Sequence, residues 1–244
     1  MFKTFTRGLS AVVLAFGFGG AAQAALLSTA GTWSAVTPNN ATDLSGVGTN
    51  EIRWGFAFGG PQSGYRFAGV SNQAVTLPDT LGGTVLVEMG TFTHFNLPIA
   101  FDNNFITSAT LDIDLSLVNG GSIDTTLSFV FDHLETHNFI TPCAAGGRPP
   151  CPDLVQIAGN SPTQSFMADG MNYQFDIFGF RDTNGVTNPS FLTAEGVENK
   201  AALIGRITKI SLPTSLPEPA TAALFGFGLA GLVFAARRRH SHRL

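Results

Sequence analysis

The side chains best suited to chemistry lie in three short stretches of the chain. The first is Thr93-His94-Phe95-Asn96, in which His94 and Asn96 share one face of a regular strand. The second is His133-Leu134-Glu135-Thr136-His137, where the same spacing puts His133, Glu135 and His137 on one face with Phe129 and Phe131. Imidazoles and a carboxylate that converge can bind zinc or another divalent ion. The opposing expectation is that His94 and His133 hydrogen-bond to backbone at strand ends and pin loop geometry. Alternate residues of one twisted strand do not meet at an ion unless a second strand lies in register. No metal and no cofactor is therefore expected, and His94, His133 and Glu135 are the side chains a metal would use. The third stretch, Cys143 to Cys151 (CAAGGRPPC), closes a short Gly- and Pro-rich loop. In an exported protein such a pair forms a disulfide, worth about 2–3 kcal/mol by loop-closure entropy. A metal-binding or catalytic thiol pair lacks a companion ligand nearby.

Other candidate chemistry has a plainer explanation. Asp182-Thr183-Asn184-Gly185 offers oxygens to calcium, but an Asn-Gly pair between strands is first a hairpin turn. Asp112 with Asp114, or Asp169 with Asp176, can be posed as the carboxylate pair of a glycoside hydrolase. A solvated strand face accounts for the first pair, and a loop position accounts for Asp169. Trp54, Tyr65 and Phe67 can be read as a sugar-stacking platform or as core aromatics. Neither a Gly-x-Ser-x-Gly elbow nor a phosphate-cradling loop is present. The sequence contains no catalytic constellation, and no enzymatic activity is expected.

The elements that must position these residues are strands. Leu111, Ile113, Leu115 and Leu117 alternate with Asp112, Asp114 and Ser116. Residues 84–95, 123–134, 171–181 and 201–211 read likewise, and 51–58 and 65–70 are shorter aromatic runs. Helical periodicity with caps is absent from the body. Eight to eleven strands joined by turn-rich loops predict an all-β fold, an antiparallel β-sandwich of jelly-roll-like form, in one domain over 25–216.

Composition narrows the classes further. Only 12% of the 244 residues are charged and 44% are hydrophobic, which excludes a disordered chain. The 28 glycines lack a collagen period and mark turns. The net charge is −4, but six of the thirteen basic residues and only one acid sit at the ends, so 25–216 holds seven basic and sixteen acidic residues, a formal −9. Such a body has no stripe for nucleic acid and repels acidic polysaccharide unless divalent cations intervene.

Both ends read as addresses. Lys3 and Arg7 precede an apolar run over 9–20 and then Ala22-Gln23-Ala24, the pattern of a signal peptide spanning 1–24. At the other end, residues 220–236 are uncharged and, at ~1.5 Å per residue, form a helix of about 25 Å, enough to cross a bilayer. Arg237, Arg238 and Arg239 follow at once within a basic tail over 237–244 and keep that end cytoplasmic. Pro217-Glu218-Pro219 stands just before the helix. Triplet, helix and arginine cluster in this order resemble the PEP-CTERM sorting signal of Gram-negative bacteria, here over 217–244. The resemblance implies recognition by an exosortase. On that reading the tail helix holds the protein transiently at the inner membrane, with its domain in the periplasm, until this membrane-embedded protease processes the tail. The resemblance further implies release or transfer to the cell surface or to an extracellular matrix of exopolysaccharide and biofilm.

A second resemblance rests on the body. Thr93-His94-x-Asn96, with Ile52-Arg53-Trp54-Gly55 upstream and His133-Leu134-Glu135-Thr136-His137-Asn138 before the Cys loop, resembles the THxN family of PEP-CTERM proteins. That family often carries Pro at the position of His137, which separates His137 from any shared role. Thr93, His94, Asn96, His133 and Glu135 are then the family-motif residues. The resemblance implies an architecture and an address. The expected function is a structural or adhesive matrix component, with a carbohydrate- or metal-binding module as the alternative and a secreted hydrolase as the weaker one.

Overall fold

A computed structural model of the chain describes residues 24–210 apart from 58, 101–104, 119–121, 160–162 and 169. The expected tail helix (220–236), the sorting residues Pro217, Glu218, Pro219 and Arg237 to Arg239, and the signal peptide save Ala24 lie outside the described residues. Among the described residues no helix is long and apolar enough to cross a membrane.

Two antiparallel sheets form the body. One contains β1 (Ala24–Thr37), β4 (Gln73–Thr76), β6 (Ser108–Val118), β7 (Ser122–Leu134), β8 (Asp153–Ile157) and β12 (Ser190–Thr193). The other contains β2 (Glu51–Trp54), β3 (Ser63–Gly69), β5 (Thr84–Asn96), β9 (Gln164–Ala168), β10 (Met171–Arg181), β11 (Thr187–Asn188) and β13 (Val197–Ile210). The first sheet runs β12-β8-β7-β6-β1-β4 and the second β11-β10-β13-β5-β3-β2, with β9 beside β10. Thirteen strands among the described residues exceed the eight to eleven that periodicity predicts. The surplus comes from β1, whose Gly, Ser and Thr blur the alternation, and from short strands such as β4, β11 and β12.

Alternation does its expected work in β6, where Leu111, Ile113, Leu115 and Leu117 are buried and Asp114 faces solvent. On that outer face Ser128 donates to Asp112 and Thr126 to Asp114, each at 2.6 Å. Asp112 and Asp114 thus belong to a solvated strand face, and Asp176 pairs with Arg206. Asp182 is a turn residue: its Oδ1 accepts from the N–H groups of Asn184 and Val186, and Gly185 takes φ +82°.

The core between the sheets is aromatic. Trp33 and Phe131 from the first sheet meet Phe92 from the second at ring distances of 5.7 and 5.4 Å, and Phe129 meets Phe175. Trp54, Tyr65 and Phe67 are buried in the same cluster, so the sugar-platform reading gives way to the core reading. Burying rings of this size, ~25 cal/mol per Å² of apolar surface, holds the layers together.

One irregularity decides what β5 turns inward. Val87 and Met89 are buried before Gly90, and Phe92, His94 and Asn96 after it, so the inward parity changes from odd to even. The change coincides with a bulge opposite Leu203 and Ile204 in β13. Gly90 has φ +149°, and a Cβ there would stand 2.4 Å from the Ala68 carbonyl oxygen. On the outer face of the same strand, Phe95 lies under the guanidinium of Arg53 at 3.6 Å and of Arg66 at 4.9 Å.

Gly90→Ala should cost more than about 1 kcal/mol of unfolding free energy, through backbone strain and the clash at Ala68. Gly159→Ala, at an open position, should leave the urea midpoint unchanged. Equal midpoints for the two variants would contradict the bulge as the feature that orients β5.

A buried polar cluster between the sheets as candidate functional site

The bulge delivers His94 and Asn96 to the interior, where they are fully buried. In the register of the second sheet His94 lies directly opposite Tyr65 of β3. In the first sheet Thr193 of β12 lies directly opposite Asp153 of β8, and His133 of β7 opposite Val155. Each sheet therefore places neighbouring polar side chains on its inner face at the same end of the core.

These groups meet across the layers. The Tyr65 hydroxyl is 2.5 Å from His133 Nδ1, and His133 Nε2 is 3.1 Å from Glu135 Oε2. His94 Nδ1 is 2.9 Å from Thr193 Oγ1, and Asn96 Nδ2 donates to the Thr193 carbonyl oxygen at 3.0 Å. The ring centroids of His94 and His133 are 5.3 Å apart, and Trp54 lies against both rings. His94 and His133 thus bond to side chains of the opposite sheet, which corrects the expectation that they pin backbone at strand ends.

Burial sets the electrostatics. Asp153 is pushed up to about 8, first by desolvation and then by the charge of Glu135. Desolvation raises Glu135 to about 7. His133 falls to about 4 by burial, and His94 also falls well below its ordinary value through burial and the neighbouring His133. Both imidazoles are neutral at pH 7, and the carboxyl groups resist ionising without a compensating charge.

The sequence candidates separate cleanly. His94, Asn96, His133 and Glu135 come together. Thr93 is buried but alternates to the outer face of β5, between Arg66 and Lys200 in register. His137 is exposed, because β7 ends at Leu134 and the chain turns outward after Thr136; the strand face expected to join it to His133 stops short. Cys143 and Cys151 form the disulfide. Their loop is tied to the cluster: Thr136 donates through Oγ1 to the carbonyl oxygens of Cys151 and Pro152, and its N–H bonds Asp153 Oδ1 at 2.8 Å.

Sequence reasoning missed Asp153, Thr193 and the hydroxyl role of Tyr65. Asp153 had one usable signal, its position two residues after a loop-closing cysteine. Thr193 had none, because it is recruited by strand order alone.

Removing one hydroxyl tests the cross-sheet bonding. Thr193→Val should destabilise by about 1–3 kcal/mol in urea unfolding, since it leaves a His94 ring nitrogen unpaired in the core. Thr193→Ser should keep the wild-type midpoint to within about 0.5 kcal/mol. A Val variant as stable as wild type would contradict the bonding pattern.

The PEP-CTERM protein-sorting motif is matched at residues 215–239. No curated protein matches the chain. The motif marks an exported protein, processed at the membrane of a Gram-negative bacterium, with an exosortase as processing partner.

Proposed function

We propose that this chain is a non-enzymatic structural component of an extracellular matrix, belonging to the THxN group of exosortase substrates. Its signal peptide carries it through the inner membrane. The helix over 220–236 holds it there with Arg237, Arg238 and Arg239 in the cytoplasm, and the exosortase cuts the tail behind the body. The freed β-domain, read as a jelly-roll-like sandwich because the chain changes sheet repeatedly, passes to the cell surface or its exopolysaccharide.

The sorting motif at 215–239 behind an all-β body is the observation that carries this reading. The side chains best able to do chemistry support the non-enzymatic part. His94 and Asp153 are 0% exposed, turned away from any soluble substrate. What the body offers outward is the hydroxyl and carboxylate face of β6 and β7, beside a shallow hollow of about 490 Å³ lined by Ser28, Thr29, Asp114, Asp124 and Thr126. Such a face suits contact with polysaccharide bridged by divalent cations.

Glu218→Ala with Pro219→Ala should abolish tail removal in a host with the matching exosortase. Blotting should then show an uncut, membrane-bound species where wild type gives a shorter released one, and mass spectrometry of the wild-type product should find no terminal arginines. Identical processing of both chains would overturn the sorting role of the triplet.

A further inference from the structure

The proton positions in the cluster follow from its bonding. Thr193 has one hydroxyl proton, and its Oγ1 donates to the Asp153 carbonyl oxygen at 3.2 Å. That oxygen must then accept from His94 Nδ1, so Nδ1 carries the ring proton and His94 Nε2 is a bare lone pair. Nε2 is buried and has no partner among the described residues. Asp153 repeats the pattern: Oδ1 takes the Thr136 N–H, while Oδ2 is buried without a partner. Side chains of His94, His133 and Asp153 offer ligand atoms that all lie within 4.8 Å of one another.

Acceptors are concentrated here without positive charge to match them. Asp153, Glu135 and Glu195 are neighbours, the Glu195 carboxylate oxygens are also buried, and among the described residues no Lys or Arg pairs with any of the three; the basic side chain in contact, His133, is itself uncharged. Arg53 and Arg66 lie on the far side of β5, over Phe95. Three neighbouring carboxyl groups with buried oxygens are costly in their ionised form unless a cation neutralises them. A divalent ion balances two of these charges, and the two neutral imidazoles add none.

We infer that His94 Nε2, Asp153 Oδ2 and one nitrogen of His133 bind a structural zinc ion that joins the two sheets, with Glu135 beside it balancing the charge. The donor set selects the metal. Two imidazoles with carboxylate suit zinc among the abundant divalent ions, whereas calcium and magnesium take oxygen ligands. Tetrahedral zinc at about 2.1 Å from each ligand separates ligand atoms by about 3.4 Å, so the ion draws the group inward by about an ångström. His133 gives up one of its two hydrogen bonds in return. Thr193 acts as the positioning residue: it holds His94 through Nδ1 so that Nε2 points at the metal, the arrangement seen for metal-bound histidines generally.

The test uses the full chain carrying His240→Ala and His242→Ala, which removes the tail imidazoles, exported and purified without chelator. Elemental analysis should find about one zinc per chain. Stripping with a chelator should lower the melting temperature, and added Zn²⁺ should restore it where Mg²⁺ and Ca²⁺ do not. His94→Gln and Asp153→Asn should each lose at least ~10-fold in zinc affinity, Thr193→Val about 10–100-fold, and His137→Ala nothing. A folded parent chain, checked by circular dichroism, that holds no zinc and gains no thermal stability from added Zn²⁺ overturns the proposal, whatever the variants do. Zinc bound equally well by His94→Gln and Asp153→Asn also overturns it, since the ion then sits elsewhere.

Discussion

Polar side chains enclosed between two β-sheets can be satisfied only by each other or by something they capture, and this constraint governs the end of the core around His94. Tyr65, His94 and Asn96 come from one layer; His133, Asp153 and Thr193 come from the other. Neither layer can bury its own set without its partner. The aromatic core supplies most of the cohesion, but it is non-directional and tolerates sliding. Hydrogen bonds with fixed geometry, such as that from Tyr65 to His133, fix the sheets in one relative position.

The surrounding elements serve that junction. The bulge at Gly90 turns the second half of β5 so that His94 faces inward, and without it the same sequence would present His94 to the Arg53 and Arg66 side. The Cys143–Cys151 loop sits between β7 and β8 and leads directly into Asp153. Thr136 clips that loop to the strand end, so a covalent link between two buried cysteines restrains a carboxylate in the core. A protein that leaves the cell gains from such restraint, because it must persist without chaperones to refold it.

The sequence made the sheet interior legible wherever alternation was clean. In β6 every second residue from Leu111 to Leu117 is inward, as patterning alone required. Residues 171–181 match β10 at both ends. His94 and His133 stood out because imidazoles spaced along strands are unusual, and Glu135 followed from its spacing. Partnership between strands far apart in sequence was not legible. Thr193 reaches His94 across 99 residues, and nothing local announces that β12 pairs with β8 or that β8 lies opposite β5. The parity change at Gly90 hides in the same way, since a bulge is a property of two strands and the pattern is read from one. The sorting tail shows the opposite limit: its function is read from a linear motif and needs no fold at all.

The zinc ion proposed at the junction of the two sheets has a direct signature. Crystals of the exported protein, with diffraction recorded on either side of the zinc absorption edge, test it most directly. One anomalous peak is expected between the sheets, within about 2.0–2.2 Å of His94 Nε2 and Asp153 Oδ2. An ordered water there, or direct hydrogen bonds with no anomalous signal, would contradict it.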